Sequence, residues 1–155
     1  PQRRARGRSE GGAGAGRHVA PAAAASELAV RDNESPWTVD ELAALRSELE
    51  SDVERLRAEV AEQEHDMADL LRDFGDGAGE DQADAGSKTF EREHEMSLTN
   101  NTREMLLQDE RALARIHDGS YGLCESCGNA IGKLRLQAFP RATLCVTCKQ
   151  REERR

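Results

Sequence analysis

Near its C-terminal end the sequence reads Tyr121-Gly-Leu-Cys124-Glu-Ser-Cys127-Gly128, and after seventeen residues between Cys127 and Cys145 it reads Cys145-Val-Thr-Cys148. Two Cys-x-x-Cys pairs separated by about 15–20 residues are spaced for zinc. Each such turn aims two thiolates at one point, and Gly128 frees the backbone for the tight turn after the first pair. Two turns complete a tetrahedral shell of Cys124, Cys127, Cys145 and Cys148. All four positions are then filled by protein, leaving none for water or substrate. One structural, non-catalytic zinc ion is therefore expected. Two disulfides would need an oxidising compartment, and no export signal is evident. A redox Cys-x-x-Cys is usually single and near a βαβ pattern, which is missing. Between the pairs, Ile131, Leu134, Leu136, Phe139, Pro140 and Leu144 are expected to form a miniature core around the metal.

The remainder of the chain cannot fold around a large core. Of its 155 residues only 3% are aromatic, while 34% are charged. Such a chain can still form long helices, which need only a narrow apolar stripe, or gain stability from a metal. The charge is distributed unevenly. Residues 1–31 hold six Arg against two Glu; residues 32–118 hold nine Lys and Arg against 25 Asp and Glu, a net −16; residues 119–155 hold seven against three. Duplex DNA would repel the acidic stretch, whereas a basic protein channel would attract it.

Residues 1 to about 37 read as a disordered Arg/Gly/Ala-rich arm, with glycines at 7, 11, 12, 14 and 16 and no periodicity. The Ala-rich run Val19–Val30 is interrupted by Pro21, Ser26 and Glu27 and makes a poor signal segment. No stretch approaches the roughly 18 apolar residues of a membrane-spanning helix. Pro1 implies a processed start or a fragment. A cytoplasmic protein is expected.

Thr38 precedes Glu41 by three residues, a capping-box spacing that predicts a helix start. Leu42, Leu45, Leu49, Val53, Leu56, Val60, Met67, Leu70 and Phe74 then recur at steps of three, four or seven, close to a coiled-coil seam. Residues 75–86 hold four Gly and four acids without a stripe, which predicts a loop. Ser87 is the expected cap of a second helix with Phe90, Leu98, Met105, Leu106, Leu113 and Ile116 on its inner face. Asp118-Gly119 ends it. Asn100, Asn101 and Thr102 weaken the seam midway, so local opening is expected there.

The expected fold is mainly α. A long antiparallel coiled-coil hairpin, residues 38–118 with its tip loop at 75–86, leads into a four-cysteine zinc finger and a short basic C-terminal helix over 119–155. A monomer is expected.

The segment Tyr121-Gly-Leu-Cys-Glu-Ser-Cys-Gly-Asn-Ala-Ile-Gly132, with Arg135-Leu, Ala138, Pro140 and Leu144-Cys-Val-Thr-Cys-Lys149, closely resembles the C4 zinc finger of the DksA/TraR family. The resemblance extends to an acidic hairpin before the finger and a short helix after it, over about residues 38–155. It implies a protein that binds bacterial RNA polymerase and not promoter DNA. The hairpin of such proteins enters the secondary channel, and an acidic tip, Asp-x-x-Asp-x-Ala, sits near the catalytic elements. Open promoter complexes are destabilised and initiation is altered, often together with ppGpp.

Counting back from the finger without gaps puts Asp81-Gln-Ala-Asp84-Ala-Gly86 on the tip motif, with Gly86 in place of its final Ala. The same register puts Asn101 and Gln108 where the family carries basic ppGpp contacts, and Lys149 on a matching basic position. Neutral amides cannot neutralise phosphate as Arg or Lys does, so strong ppGpp dependence is not expected. Transcript cleavage at a tip-bound Mg2+ and nucleic-acid binding by the basic finger are the alternative functions. Neither a Ser-His-Asp set nor a phosphate-binding glycine loop is present, so no enzyme chemistry of its own is expected. His65, His94 and His117 have no expected role at the metal.

Overall fold

A computed structural model describes residues 25–76 and 82–154; of residues 74–76 and 82–84 it describes the backbone alone. Two long helices dominate: α1 (Val39–Asp76) and α2 (Gln82–Asp118). Two short ones follow, α3 (Lys133–Ala138) and α4 (Val146–Glu153). Helix α4 begins immediately after Cys145.

The capping box forms as its spacing predicts. The Thr38 N–H donates to Glu41 Oε2 at 2.9 Å and the Glu41 N–H donates back to Thr38 Oγ1 at 3.2 Å. At the other end of the hairpin's base, Gly119 takes a φ of 83°, the left-handed stop expected after Asp118.

Helices α1 and α2 pack together as the expected antiparallel hairpin. Their register can be read from two ion pairs. Arg57 meets Glu110 at 2.6 Å, and Glu64 meets Arg103 at 2.6 Å. Seven residues forward along α1 thus correspond to seven residues backward along α2.

The apolar core lies at the base. Leu45 and Leu49 of α1 and Ala112 and Ile116 of α2 are buried there with Trp37, Tyr121, Ile131 and Leu136. Val53 and Leu56 continue the buried seam along α1. Each fully buried leucine removes enough surface from water for roughly 1.5–3 kcal/mol.

Several expectations are corrected. The expected tip loop at 75–86 is shorter, because α1 continues through Gly75 and Asp76 and α2 begins at Gln82, so Ser87 is not a cap. Ala83 and Ala85 favour helix strongly, and Asp84 in the first turn suits the helix dipole. Phe90 is 73% exposed and Leu98 43% exposed, so neither belongs to the inner face. The seam positions of α2 are instead taken by Thr99, Thr102 and Asp109, all buried. The threonines turn their hydroxyls back onto their own helix, at Glu95 O and Leu98 O.

The arm expected over residues 1–37 is corrected in its last third; residues 1–24 lie outside the described residues. Ala25, Leu28 and Trp37 are buried in the core of the base. Arg31 donates to Ile131 O at 3.0 Å, and Glu34 accepts from the Lys133 N–H at 2.8 Å. The segment 25–37 is therefore a strap across the finger, held by apolar contacts that its own composition does not announce.

Candidate metal centre and the base of the hairpin

The finger is built from close turns. Gly128 (φ 73°) donates its N–H to Cys124 O at 2.8 Å, closing the first Cys-x-x-Cys turn. An isolated antiparallel bridge pairs Leu123 with Ala130. The second pair enters on α4, with Cys145 at its N-cap and Cys148 in its first turn. The Cys145 N–H donates to Cys124 Sγ at 3.3 Å, and the Glu125 N–H to Thr143 O at 2.9 Å, so the two turns face each other.

The result is a thiol cluster. The sulfurs of Cys124, Cys127, Cys145 and Cys148 all lie within 4.8 Å of one another, and those of Cys127 and Cys145 are 3.9 Å apart. Four Zn–S bonds of about 2.3 Å in a tetrahedron require S···S separations of about 3.8 Å. The cluster fits one zinc ion. Cys124, Cys145 and Cys148 are buried and Cys127 is exposed. Burial opposes ionisation of Cys124, but N–H donors of Cys145, Cys127 and Ser126 outweigh it and bring its thiol down to about 6. A thiolate is the ligand form that zinc needs.

Around the metal the miniature core is smaller than expected. Ile131 and Leu136 are fully enclosed, but Leu134 is 77% exposed and Phe139 points outward beneath the Arg135 guanidinium. Tyr121 takes the larger share: it is buried, its hydroxyl donates to Pro140 O at 2.7 Å, and its ring lies 6.3 Å from that of Trp37. Burial pushes its phenol well above the ordinary value.

Finger and hairpin are tied by charge. Lys133 Nζ is 2.7 Å from Glu41 and 5.4 Å from the centre of the Trp37 ring. Arg111 and Arg115 both reach Glu125, at 2.9 and 3.4 Å, and Arg115 also donates to the carbonyls of Ser120 and Leu123. Arg141 lies 3.2 Å from Asp109 and 3.8 Å from Asp52. Sequence reading placed Thr102 in the seam but missed Asp109. The available signal was the step of seven back from Ile116, which lands on 109 and 102.

The remaining expected site residues are spread out. Asp81 lies outside the described residues, and Asp84 falls in the first turn of α2 with only its backbone described. Lys149 is in α4, where its ammonium is held by Glu152 at 2.9 Å and Glu153 at 4.0 Å. Its charge is raised in persistence by Glu152, the nearer acid. Gln108 donates to Glu104 at 3.0 Å and shares with Lys149 a groove between α2 and the finger; Asn101 is exposed. No helix among the described residues is long and apolar enough to cross a membrane.

Comparison with known proteins agrees with this architecture. Residues 119–154 match the model of the prokaryotic dksA/traR C4-type zinc finger. The RNA polymerase-binding transcription factor DksA of Escherichia coli K12 is 37% identical over 111 residues, spanning 70% of this chain and 69% of that protein. The protein of the same name from Caulobacter vibrioides NA1000 is 41% identical over 75 residues, about half the length of each chain (48% and 53%). Among solved structures, transcription factor DksA2 of Pseudomonas aeruginosa superposes with a TM-score of 0.58 at 30% identity, over 73% of this chain and 83% of that one.

Proposed function

The chain belongs to the DksA/TraR family, and on that premise we propose that it is a transcription regulator that binds bacterial RNA polymerase. The observation that carries this reading is an acidic antiparallel hairpin seated on a C4 zinc finger, in a chain similar to the E. coli polymerase-binding factor over 70% of its length. The hairpin enters the secondary channel. Its charge of −14 over residues 38–118 is attracted by a basic channel and accelerates the encounter. The action is non-catalytic and takes place in the cytoplasm, where the polymerase is.

In this reading Asp81 and Asp84 act at the polymerase active centre, perturbing its moving elements or the surroundings of its Mg2+. The finger performs no chemistry; zinc holds its shape, and the four cysteines orient the base. Lys149 contacts the polymerase or a nucleotide beside it. Dependence on ppGpp is weak, because Gln108 is neutral and Lys149 already answers to Glu152 and Glu153.

The test is co-purification with RNA polymerase, together with run-off transcription. The protein is expected to bind the polymerase and to alter initiation without shortening transcripts in backtracked complexes. Failure to bind would overturn the reading, and shortened RNA would replace it with transcript cleavage.

A further inference from the structure

Most of the ties between finger and hairpin grip a single helix near its end. Lys133 holds Glu41 in the first turn of α1, and Arg111 and Arg115 hold Glu125 from the last turns of α2. Beyond the apolar core of the base, these ties hold only the ends of the two helices.

Arg141 is placed differently. Its Nε lies 3.2 Å from Asp109 Oδ1 on α2, and its Nη2 lies 3.8 Å from Asp52 Oδ2 on α1. One guanidinium from the finger therefore spans both long helices. It does so thirteen residues along from Val39, about 20 Å up the hairpin at 1.5 Å per residue.

The chemistry of this clasp is unusual for a stabilising contact. Asp109 is wholly enclosed, yet neither of its oxygens receives a hydrogen bond; Arg141 lies close but off the line of its N–H. Asp52 has a second partner, Arg55, at 2.8 Å, whereas Arg141 is the cation nearest Asp109. A buried, incompletely bonded ion pair adds little stability, and an apolar pair of similar size often does as well or better. Its best-attested use is to select one arrangement among several.

We propose that Arg141 and Asp109 are positioning residues: they fix the direction of the hairpin relative to the finger rather than the stability of either. From the clasp to Asp76 is a lever of 24 residues. At 1.5 Å per residue it is about 36 Å long, so a tilt of about 10° displaces that end by about 6 Å. The consequence for transcription rests on the polymerase reading above; the geometric consequence does not.

The test uses the full, zinc-loaded chain and the double variant Asp109→Leu/Arg141→Leu, which removes the ion pair without stranding either charge. Ketone-bearing residues introduced at exposed Asp66 and Gln150 carry spin labels, since thiol labels would attack the zinc ligands. Expected for the unsubstituted pair is one narrow distance distribution. The double variant keeps its zinc and is at least as thermally stable at pH 7, but its distribution broadens or shifts. It binds polymerase yet loses several-fold of its effect on open complexes. The variant Arg141→Lys restores only part of the narrow distribution, because an ammonium cannot span both carboxylates. An unchanged distribution in the double variant overturns the proposal. If the unsubstituted protein leaves polymerase unaffected, the polymerase reading fails while the distance result still decides the clasp.

Discussion

Glu34 accepts a hydrogen bond from the backbone N–H of Lys133 at 2.8 Å, across ninety-nine residues of sequence. Helix α3 begins after Gly132, which provides no side-chain cap. Glu34 therefore caps α3 from the strap, and the same oxygen accepts the Arg31 N–H at 3.0 Å. The Lys133 N–H also holds the Glu34 carboxyl below its ordinary 4.5.

Glu34→Ala should lower stability by about 1 kcal/mol, the usual cost of a lost helix cap. The lowered carboxyl sets the pH dependence. The contribution of Glu34 is fully present above about 4.5 and is lost as pH falls through its lower native value. The difference between Glu34→Ala and the parent in urea unfolding is expected to be constant near pH 7 and to shrink in acid.

Asp109 behaves in the opposite sense. Burial raises its carboxyl above the ordinary 3.8; Asp52 and Glu48 of α1 push the same way, while Arg141 of the finger and Arg55 of α1 oppose them. The native state therefore holds this proton more tightly than the unfolded chain. Its contribution is most favourable below about 3.8 and is lost as pH rises through the native value. Asp109→Asn should raise the thermal midpoint at pH 7, with the gain vanishing as pH approaches 4. Removing this acid strands no charge, since the Arg141 side chain is partly exposed and keeps Asp52 nearby.

Glycines of the finger differ in how much they tolerate. A Cβ on Gly122, at φ 93°, would stand 2.6 Å from the backbone oxygen of Ala29. One on Gly128, at φ 73°, would meet nothing within 4 Å. Gly128→Ala should cost about 1–2 kcal/mol, from backbone strain alone. Gly122→Ala should cost clearly more and loosen the strap, which denaturant titration and proteolysis of the two variants would compare.

Gly86 offers the reverse experiment. It lies in the second turn of α2 and a Cβ there meets nothing within 4 Å. Gly86→Ala supplies the alanine of the proposed tip motif and should stabilise the helix by about 1 kcal/mol. An increased effect on open promoter complexes is expected, measured against the parent at equal occupancy of polymerase.

Much of this architecture is legible in the sequence because it depends on local rules. Thr38 and Glu41 are three residues apart and bond reciprocally, Gly119 stops α2, and four cysteines at two fixed spacings meet at one point. What escapes is what the finger supplies from far away. Residues 25–37 show no periodicity, and Ala25, Leu28 and Trp37 become core only because Tyr121, Ile131 and Leu136 form a surface to receive them. Apolar residues also mislead: Phe90 and Leu98 look like seam positions, yet Thr102 and Asp109 face inward because they keep the step of seven from Ile116. Asp109 is tolerated there by Arg141, thirty-two residues later and on the finger.

The central claim is most directly tested by the lifetime of open promoter complexes, with Asp81→Asn/Asp84→Asn compared with the parent at matched polymerase binding. The parent is expected to shorten that lifetime, and the double variant to bind as well while leaving it unchanged. A double variant that shortens the lifetime as fully as the parent would contradict the account.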